Sequence, residues 1–237
     1  FKNNSINHTF LAKKIIKGFL LFMVYFNTRP SITGGLLNVN LYHNAKNDDY
    51  TKIINSKKFK INKRFNYSKY IDHLIDNIIH YKSPEKLPGS YPNCPVQAPF
   101  MGNGIYAFTK LEAAKTYQSN GTVIKIEIDE NITFLDLDEE DVLFAMNEML
   151  NDCKEKLSKL IRDEETLKNY LMLVELIQTC LYEEFEHSQP AVGIILYWYN
   201  MILESETPDL IKRTFSVNPF PYYLLKNKNK ITCISCV

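Results

Sequence analysis

GNGIYAFTKLEAAKTYQ, residues 102–118, combines a flexible turn, a short apolar strand and a short helix. If Tyr106 ends the strand and residues 110–118 form about two helical turns, the chain doubles back and brings Tyr117 opposite Tyr106. Two facing phenol rings make a slot for one flat, electron-poor ring such as nicotinamide. The alternative interpretation is that both tyrosines are half-buried packing residues.

A second informative stretch is LYHNAKNDDYTKIINSKKFKINK, residues 41–63. It predicts a strand that delivers His43, then a short helix, then an extended segment through Phe59. A neutral imidazole donates at one nitrogen and accepts at the other, so His43 can hold a backbone carbonyl and a ribose hydroxyl together. Taken alone, a histidine at such a position is usually a structural residue with its hydrogen bonds satisfied.

Together the two stretches resemble the diphtheria-toxin/PARP class of ADP-ribosyltransferases. In that class a strand with a histidine, a short helix and a second strand precede Gly-x-Gly-(Ile/Val/Thr)-Tyr, and a second tyrosine and a further strand follow. TVIKIEID, residues 122–129, is in the right place for that further strand. The resemblance covers residues 39–137 and extends to the last strand. It implies an α+β fold with an ADP-ribosyltransferase-like split antiparallel β-sheet core and an inserted helical block.

The resemblance also implies roles for individual residues. His43 would bind the nicotinamide ribose, Tyr106 would stack on the nicotinamide, and Tyr117 would close the slot from the other side. The two glycines of the turn would let the backbone approach the cofactor more closely than a Cβ allows. The cofactor-binding residues implied are His43, Asn44, Gly102, Gly104, Tyr106 and Tyr117.

The third catalytic position of the class departs from the pattern. Polymerising members keep a glutamate at the start of a late strand, and NPFPYYLLKNKNKI, residues 218–231, puts Tyr222 there. A tyrosine, with a pKa of about 10, stays neutral and cannot act as that carboxylate does. The resemblance therefore implies single-unit transfer at most, with His43, Tyr106 and Tyr222 as the catalytic candidates. Acidic residues that a loop could bring in instead, each also typical of a solvated charge, are Glu183, Glu184, Glu186, Glu204 and Glu206.

Composition describes an ordinary globular chain, with 45% apolar residues and a net charge of +1. No strongly basic or acidic balance indicates nucleic-acid binding or disorder. A local basic run after the His43 segment predicts a lysine-protected edge strand or, alternatively, a site for a pyrophosphate or an acidic target. That run consists of Lys57, Lys58, Lys60, Lys63 and Arg64.

Five scattered cysteines without a zinc-site pattern favour a reducing compartment, and no metal is expected. AKKIIKGFLLFMVYF, residues 12–26, is too short in its apolar part to span a bilayer and lacks a cleavage pattern. We expect an intracellular, most simply cytoplasmic, protein without a transmembrane segment; a signal peptide is the alternative. Whether residues 1–22 belong to the mature protein stays open.

The organisation predicted is an N-terminal extension, residues 1–38, and an ADP-ribosyltransferase-like domain, residues 39–237. The domain includes a helix over residues 67–82 and a helical insertion at about 139–203 that begins with a helical hairpin. Within the insertion, residues 191–203 are apolar enough for either a helix or a strand. Residues 224–227 and 232–236 are predicted to form a closing β-hairpin.

The function implied is NAD-dependent mono-ADP-ribosyl transfer, with NAD as substrate and a protein or nucleic-acid acceptor. A toxin, effector or defence role is the corresponding family-level expectation. The alternative is a catalytically inactive domain of this fold that binds a ligand or a protein, and a third possibility is another nucleotide-handling transferase. The helical block is a candidate surface for a protein partner.

Overall fold

The computed structural model describes residues 39–60, 65–81, 87–182, 185–202, 208–215 and 218–237. These residues form a mixed α+β structure. In chain order the elements are β1 (Asn40–Lys46), α1 (Asn47–Ser56), α2 (Tyr67–Tyr81), β2 (Ile105–Ala107), α3 (Leu111–Tyr117), β3 (Gly121–Ile128), β4 (Phe134–Asp136), α4 (Glu140–Leu160), α5 (Glu164–Tyr182), α6 (Phe185–Ile202), β5 (Leu210–Phe215), β6 (Asn218–Leu225), a 3₁₀ turn (Lys228–Lys230) and β7 (Ile231–Cys236).

The strands form two sheets. The three-stranded sheet has the order β1-β3-β7 and is antiparallel throughout. The four-stranded sheet has the order β2-β6-β5-β4, in which only the β4–β5 pair is parallel. The α+β class predicted from the sequence is therefore confirmed.

The chain divides into two compact units. Of the described residues, the sheet unit takes those within 29–64, 103–140 and 208–237, and the helical unit takes those within 65–102 and 141–207. The candidate site residues lie in the sheet unit, with Gly102 as the exception.

The core of the sheet unit lies on one face of each sheet. Alternating side chains of every long strand enter it, as expected for strands with one buried face. Each fully buried aliphatic side chain contributes about 1.5–3 kcal/mol to stability. The buried members are Leu41, Ala45, Ile53, Phe59, Ile105, Ala107, Ile124, Ile126, Ile128, Leu210, Tyr223, Leu225 and Ile234.

The helical unit packs the apolar stripes that the 3.6-residue period predicts. The buried positions of α4 include Met146, Met149 and Leu150, and α2 packs against α5 and α6. A Cβ on Gly193 of α6 would lie 2.1 Å from the hydroxyl oxygen of Tyr67, so this glycine allows the close approach of α2 and α6. The predicted helix over residues 67–82 and the helical hairpin are both confirmed.

Two other sequence predictions are settled by the fold. Residues 191–202 are helical, as part of the 18-residue α6, which is longer than typical strands. The closing hairpin is wrong, because β6 and β7 belong to different sheets. The 3₁₀ turn after β6 redirects the chain, and Asp129 N–H donates to the carbonyl oxygen of Lys230 at 2.8 Å, which starts β7 along β3.

The lysine run does not form the predicted edge strand over its described part. Lys57 has a φ of 52°, a left-handed conformation that ends α1, and residues 58–60 are irregular. The Nζ atom of Lys57 donates to the carbonyl oxygen of Ile234 at 2.9 Å, so it holds α1 against β7. Lys63 and Arg64 lie outside the described residues.

Candidate functional site

The site is built where the two sheets meet. β1 and β2 are joined by a single antiparallel bridge between Tyr42 and Phe108. Its two hydrogen bonds, Tyr42 N–H to Phe108 O and Phe108 N–H to Tyr42 O, are 2.7 and 2.9 Å long. Next to the bridge, the strand pairing is replaced by a side-chain bond from His43 to the backbone of Tyr106. The edges of the two sheets therefore separate at His43 and Tyr106.

The contact of His43 fixes its tautomer. Its Nδ1 atom lies 2.7 Å from the carbonyl oxygen of Tyr106, and because a carbonyl only accepts, Nδ1 carries the proton. In the neutral ring Nε2 is then an acceptor, and no group among the described residues is within hydrogen-bonding distance of it. The ring also packs edge-on against Phe59, with centroids 5.4 Å apart.

Burial keeps His43 neutral. It lowers the pKa of His43 below the ordinary value of 6.5, and this outweighs the opposing effects of the Tyr106 hydrogen bond and the Asp49 charge. At neutral pH the ring is therefore uncharged, with one lone pair free to accept from a hydroxyl. A ribose hydroxyl is a ligand group of that kind.

Tyr106 lies on the face of β2 that is turned away from the core. Its neighbours Ile105 and Ala107 are core residues, and in the ladder with β6 it is paired with Leu224. Because side chains alternate along a strand, Phe108 shares the face of Tyr106. This face of the four-stranded sheet carries the aromatic groups of the candidate site.

Tyr117 is the last residue of α3 and reaches the same face. Its ring contacts that of Phe108, with centroids 5.5 Å apart, and that of Tyr222, with centroids 5.9 Å apart. Its side chain remains 51% exposed, so one side of the ring is open. Partial burial, and secondarily the neighbouring Tyr222, raise the pKa of Tyr117 above its ordinary value. The strand–turn–helix prediction for this segment is confirmed.

Tyr222 is packed inside an aromatic cluster. The side chain is only 5% exposed, and its ring contacts Phe108, Tyr117 and Phe215. Its hydroxyl oxygen accepts a hydrogen bond of 3.0 Å from the Nδ2 atom of Asn218. The sequence pattern indicated Tyr222 but not Phe108 and Phe215, whose only signal is apolar alternation along β5 and along β2 and the residue after it.

Asn44 positions the helix that carries Tyr117. Its Nδ2 atom donates to the carbonyl oxygens of Ala114 and Gln118, at 2.7 and 3.1 Å. Both carbonyls belong to the C-terminal end of α3, where helix carbonyls lack partners of their own. The resemblance implies that Asn44 binds the cofactor; both of its amide hydrogen bonds go to the end of α3.

Glycine is favoured at the two positions of the turn for different reasons. Gly102 has a φ of 108°, a conformation that side chains disfavour. At Gly104 a Cβ would lie 2.5 Å from a methyl carbon of Leu224 and 2.8 Å from the carbonyl oxygen of Leu225. Gly104 is therefore needed for the contact of the turn with β6.

The acidic alternatives to Tyr222 fall on parts of the chain that the structure does not describe. Glu183, Glu184, Glu204 and Glu206 lie outside the described residues, and of Glu186 only the backbone is described.

Comparisons with family models, with curated proteins and with solved structures found no match for this chain. Within the described ranges, none of the helices has the length and apolar character needed to cross a membrane. The geometry of the site is therefore the only guide to function.

Proposed function

We propose that this protein is an NAD-dependent mono-ADP-ribosyltransferase of the diphtheria-toxin/PARP type, acting on a protein or nucleic-acid acceptor. The observation that carries the proposal is the hydrogen bond between His43 and the Tyr106 carbonyl, at the point where the two sheets separate. This bond leaves the acceptor nitrogen of a neutral imidazole next to β2, the strand that carries Tyr106, and such an acceptor could bind a ribose hydroxyl of a nicotinamide riboside.

The aromatic face supports the same substrate. Tyr106 and the half-exposed Tyr117 come from one strand–turn–helix segment and flank Phe108 on one face. A nicotinamide ring attached to ribose is cationic, and aromatic faces attract cations. The slot would favour that ring, while Nε2 of His43 accepts a hydrogen bond from a ribose hydroxyl.

The chemistry is a substitution at the anomeric carbon of the nicotinamide ribose. The bond from this carbon to the ring nitrogen breaks, and nicotinamide leaves as a neutral molecule with the bonding electron pair. The acceptor's nucleophile forms the new bond and loses its proton to solvent. His43 and the tyrosines contribute by positioning the ribose and the leaving group.

A second candidate function has its own observation. Tyr222, which the resemblance puts where polymerising enzymes have glutamate, is a phenol in contact with three other rings. No carboxylate at that position polarises the ribose hydroxyl, which lowers the expected turnover. The same geometry fits a domain that binds nicotinamide ligands without transferring ADP-ribose.

Labelled NAD distinguishes the two functions. We expect the wild type to release nicotinamide and label an acceptor, and His43→Ala and Tyr106→Ala to lose both activities while remaining folded. Tyr42→Phe is a matched control on β1, since it retains the ring and the backbone bridge. Binding of nicotinamide without release supports the binding module, and equal labelling by wild type and variants contradicts the site.

A further inference from the structure

One face of the β2–β6 pair continues beyond the aromatic site to a lysine. Tyr106 is paired with Leu224 and Ile105 with Leu225, so the next position of the register places Gly104 opposite Lys226. The N–H of Lys226 donates to the carbonyl oxygen of Asp209 at 2.9 Å, which extends the β5–β6 ladder past Leu225. Lys226 therefore keeps the alternation of the strand and shares the face of Tyr106.

The environment of Lys226 differs from that of Lys212 and Lys57, two other lysines of the sheet unit. Lys212 is paired with Asp136 and Asp138, at 2.8 and 3.1 Å, and Lys57 donates to a carbonyl oxygen. Within the described part of the chain, no acceptor lies within hydrogen-bonding distance of the Nζ atom of Lys226. Gly104, across the ladder, brings no side chain over the amine.

Lys226 is also largely withdrawn from water. Burial alone lowers the pKa of its amine to about 8, and no acidic group offsets that effect. At neutral pH the amine is still mostly protonated, so the sheet keeps an unneutralised ammonium on the face that also carries Tyr106. A partly buried cation of this kind is stabilised by an anionic ligand.

We propose that Lys226 binds the phosphate group of a nicotinamide nucleotide whose ring is held at Tyr106. This inference rests on the proposed function. It adds the phosphate to the nicotinamide riboside as a part of the substrate that the site recognises. Residues diagonal across an antiparallel pair have Cβ atoms roughly 7–8 Å apart, which a lysine side chain can bridge in part. In the nucleotide the first phosphate is one ribose away from the nicotinamide ring. An ammonium on this face is therefore placed to form a charge-assisted hydrogen bond with that phosphate.

The test compares ligands that differ only in phosphate. Nicotinamide riboside, nicotinamide mononucleotide and inorganic pyrophosphate are titrated by calorimetry into the wild type, Lys226→Gln, Lys226→Arg and Lys110→Gln. Lys110 is the matched control, because it lies on the same face at the other end of the pair, with its Nζ atom 5.4 Å from the centre of the Phe220 ring. Thermal unfolding of each variant verifies that it is folded.

We expect Lys226→Gln to bind the mononucleotide roughly tenfold more weakly, to bind the riboside as the wild type does, and to lose pyrophosphate binding. Lys226→Arg should retain most of the phosphate preference, and Lys110→Gln should retain all of it. If Lys226→Gln weakens both nicotinamide ligands equally, or neither, the phosphate site is wrong while the proposed function stands.

Failure of the proposed function would give a different result from failure of the phosphate site. If the wild type binds no nicotinamide compound but binds pyrophosphate in a Lys226-dependent way, the anion site stands and the proposed function is wrong. If the wild type binds none of the three ligands, both are overturned.

Discussion

Gly121 and Asn44 lie so close that a Cβ on the glycine would be 1.6 Å from the Oδ1 atom of the asparagine. Asn44 cannot easily withdraw, because it is 7% exposed and its amide donates to Ala114 and Gln118. The start of β3 is thus fitted against the residue that holds α3, and α3 carries Tyr117. A side chain at position 121 would disturb the site from a distance.

Gly121→Ala is expected to destabilise the protein by about 2 kcal/mol or more, because the methyl group must displace a buried, hydrogen-bonded amide. Urea denaturation measures the free energy of unfolding. Gly89→Ala is the control, since the Cβ there would meet only the end of the flexible Gln97 side chain, at 2.9 Å. Equal losses for the two variants would contradict the role of Gly121.

Asn44→Asp tests the bonds to α3 without changing side-chain shape. The carboxylate would face two carbonyl oxygens without a donor, at a buried position, and we expect a loss of about 2–3 kcal/mol in the free energy of unfolding. The control is Asn47→Asp, at the exposed start of α1, where the side-chain oxygen still accepts from Thr122. There the change should stay within about 0.5 kcal/mol. An Asn44→Asp variant as stable as Asn47→Asp would refute the role of Asn44.

Much of this architecture could be predicted from the sequence, because it depends on local patterns. The 3.6-residue period predicted α2, α4 and α5, an apolar and aromatic segment predicted β1, and the resemblance predicted β3. The position of His43 beside Tyr106 followed from a resemblance that spans residues 39–137. Its hydrogen bond joins residues 63 positions apart, and no local pattern contains that information.

The errors come from pairings between distant segments. β6 and β7 follow each other closely, which suggests a hairpin, but a 3₁₀ turn sends them to separate sheets. Asn44 was assigned to ligand binding by the resemblance, and nothing in the sequence indicated that its amide also donates to the end of α3. Lys226 gave no signal in the sequence, because only the β5–β6 ladder and its burial distinguish it from other lysines.

Tyr222 should tolerate loss of its hydroxyl much better than gain of a charge. Tyr222→Phe removes the hydrogen bond from Asn218 and should cost about 1 kcal/mol. Tyr222→Glu places a carboxyl group among Phe108, Tyr117 and Phe215 and should cost at least about 3 kcal/mol at pH 7. Thermal and urea unfolding of both variants measure the difference. A glutamate variant as stable as the phenylalanine variant would show that the cluster is open to water.

His43 should titrate below its ordinary pKa of 6.5, because burial disfavours the imidazolium form. The stability associated with the neutral ring is present above pH 6.5 and is lost as the pH falls through the lower pKa of the folded state. NMR titration of the ring, assigned by its absence in His43→Gln, measures this pKa. A value at or above 6.5 would contradict the predicted neutral acceptor, and binding of nicotinamide riboside should weaken over the same acidic range.

Lys226 should make the stability of the protein depend on pH in the alkaline range. Its pKa is about 8 in the folded protein and 10.5 as the reference value, so the unfolded chain binds the extra proton between these two pH values. The stability gained from the uncharged amine is therefore complete above pH 10.5 and is lost as the pH falls through 8.

At pH 7 Lys226→Met should be more stable than the wild type by on the order of 1–3 kcal/mol, since it removes a buried cation but keeps the apolar stem. Urea denaturation of both proteins at pH 7, 8 and 9.5 measures this advantage, which should shrink steadily as the pH rises. An advantage that is absent at pH 7, or independent of pH, would mean that the amine is fully solvated.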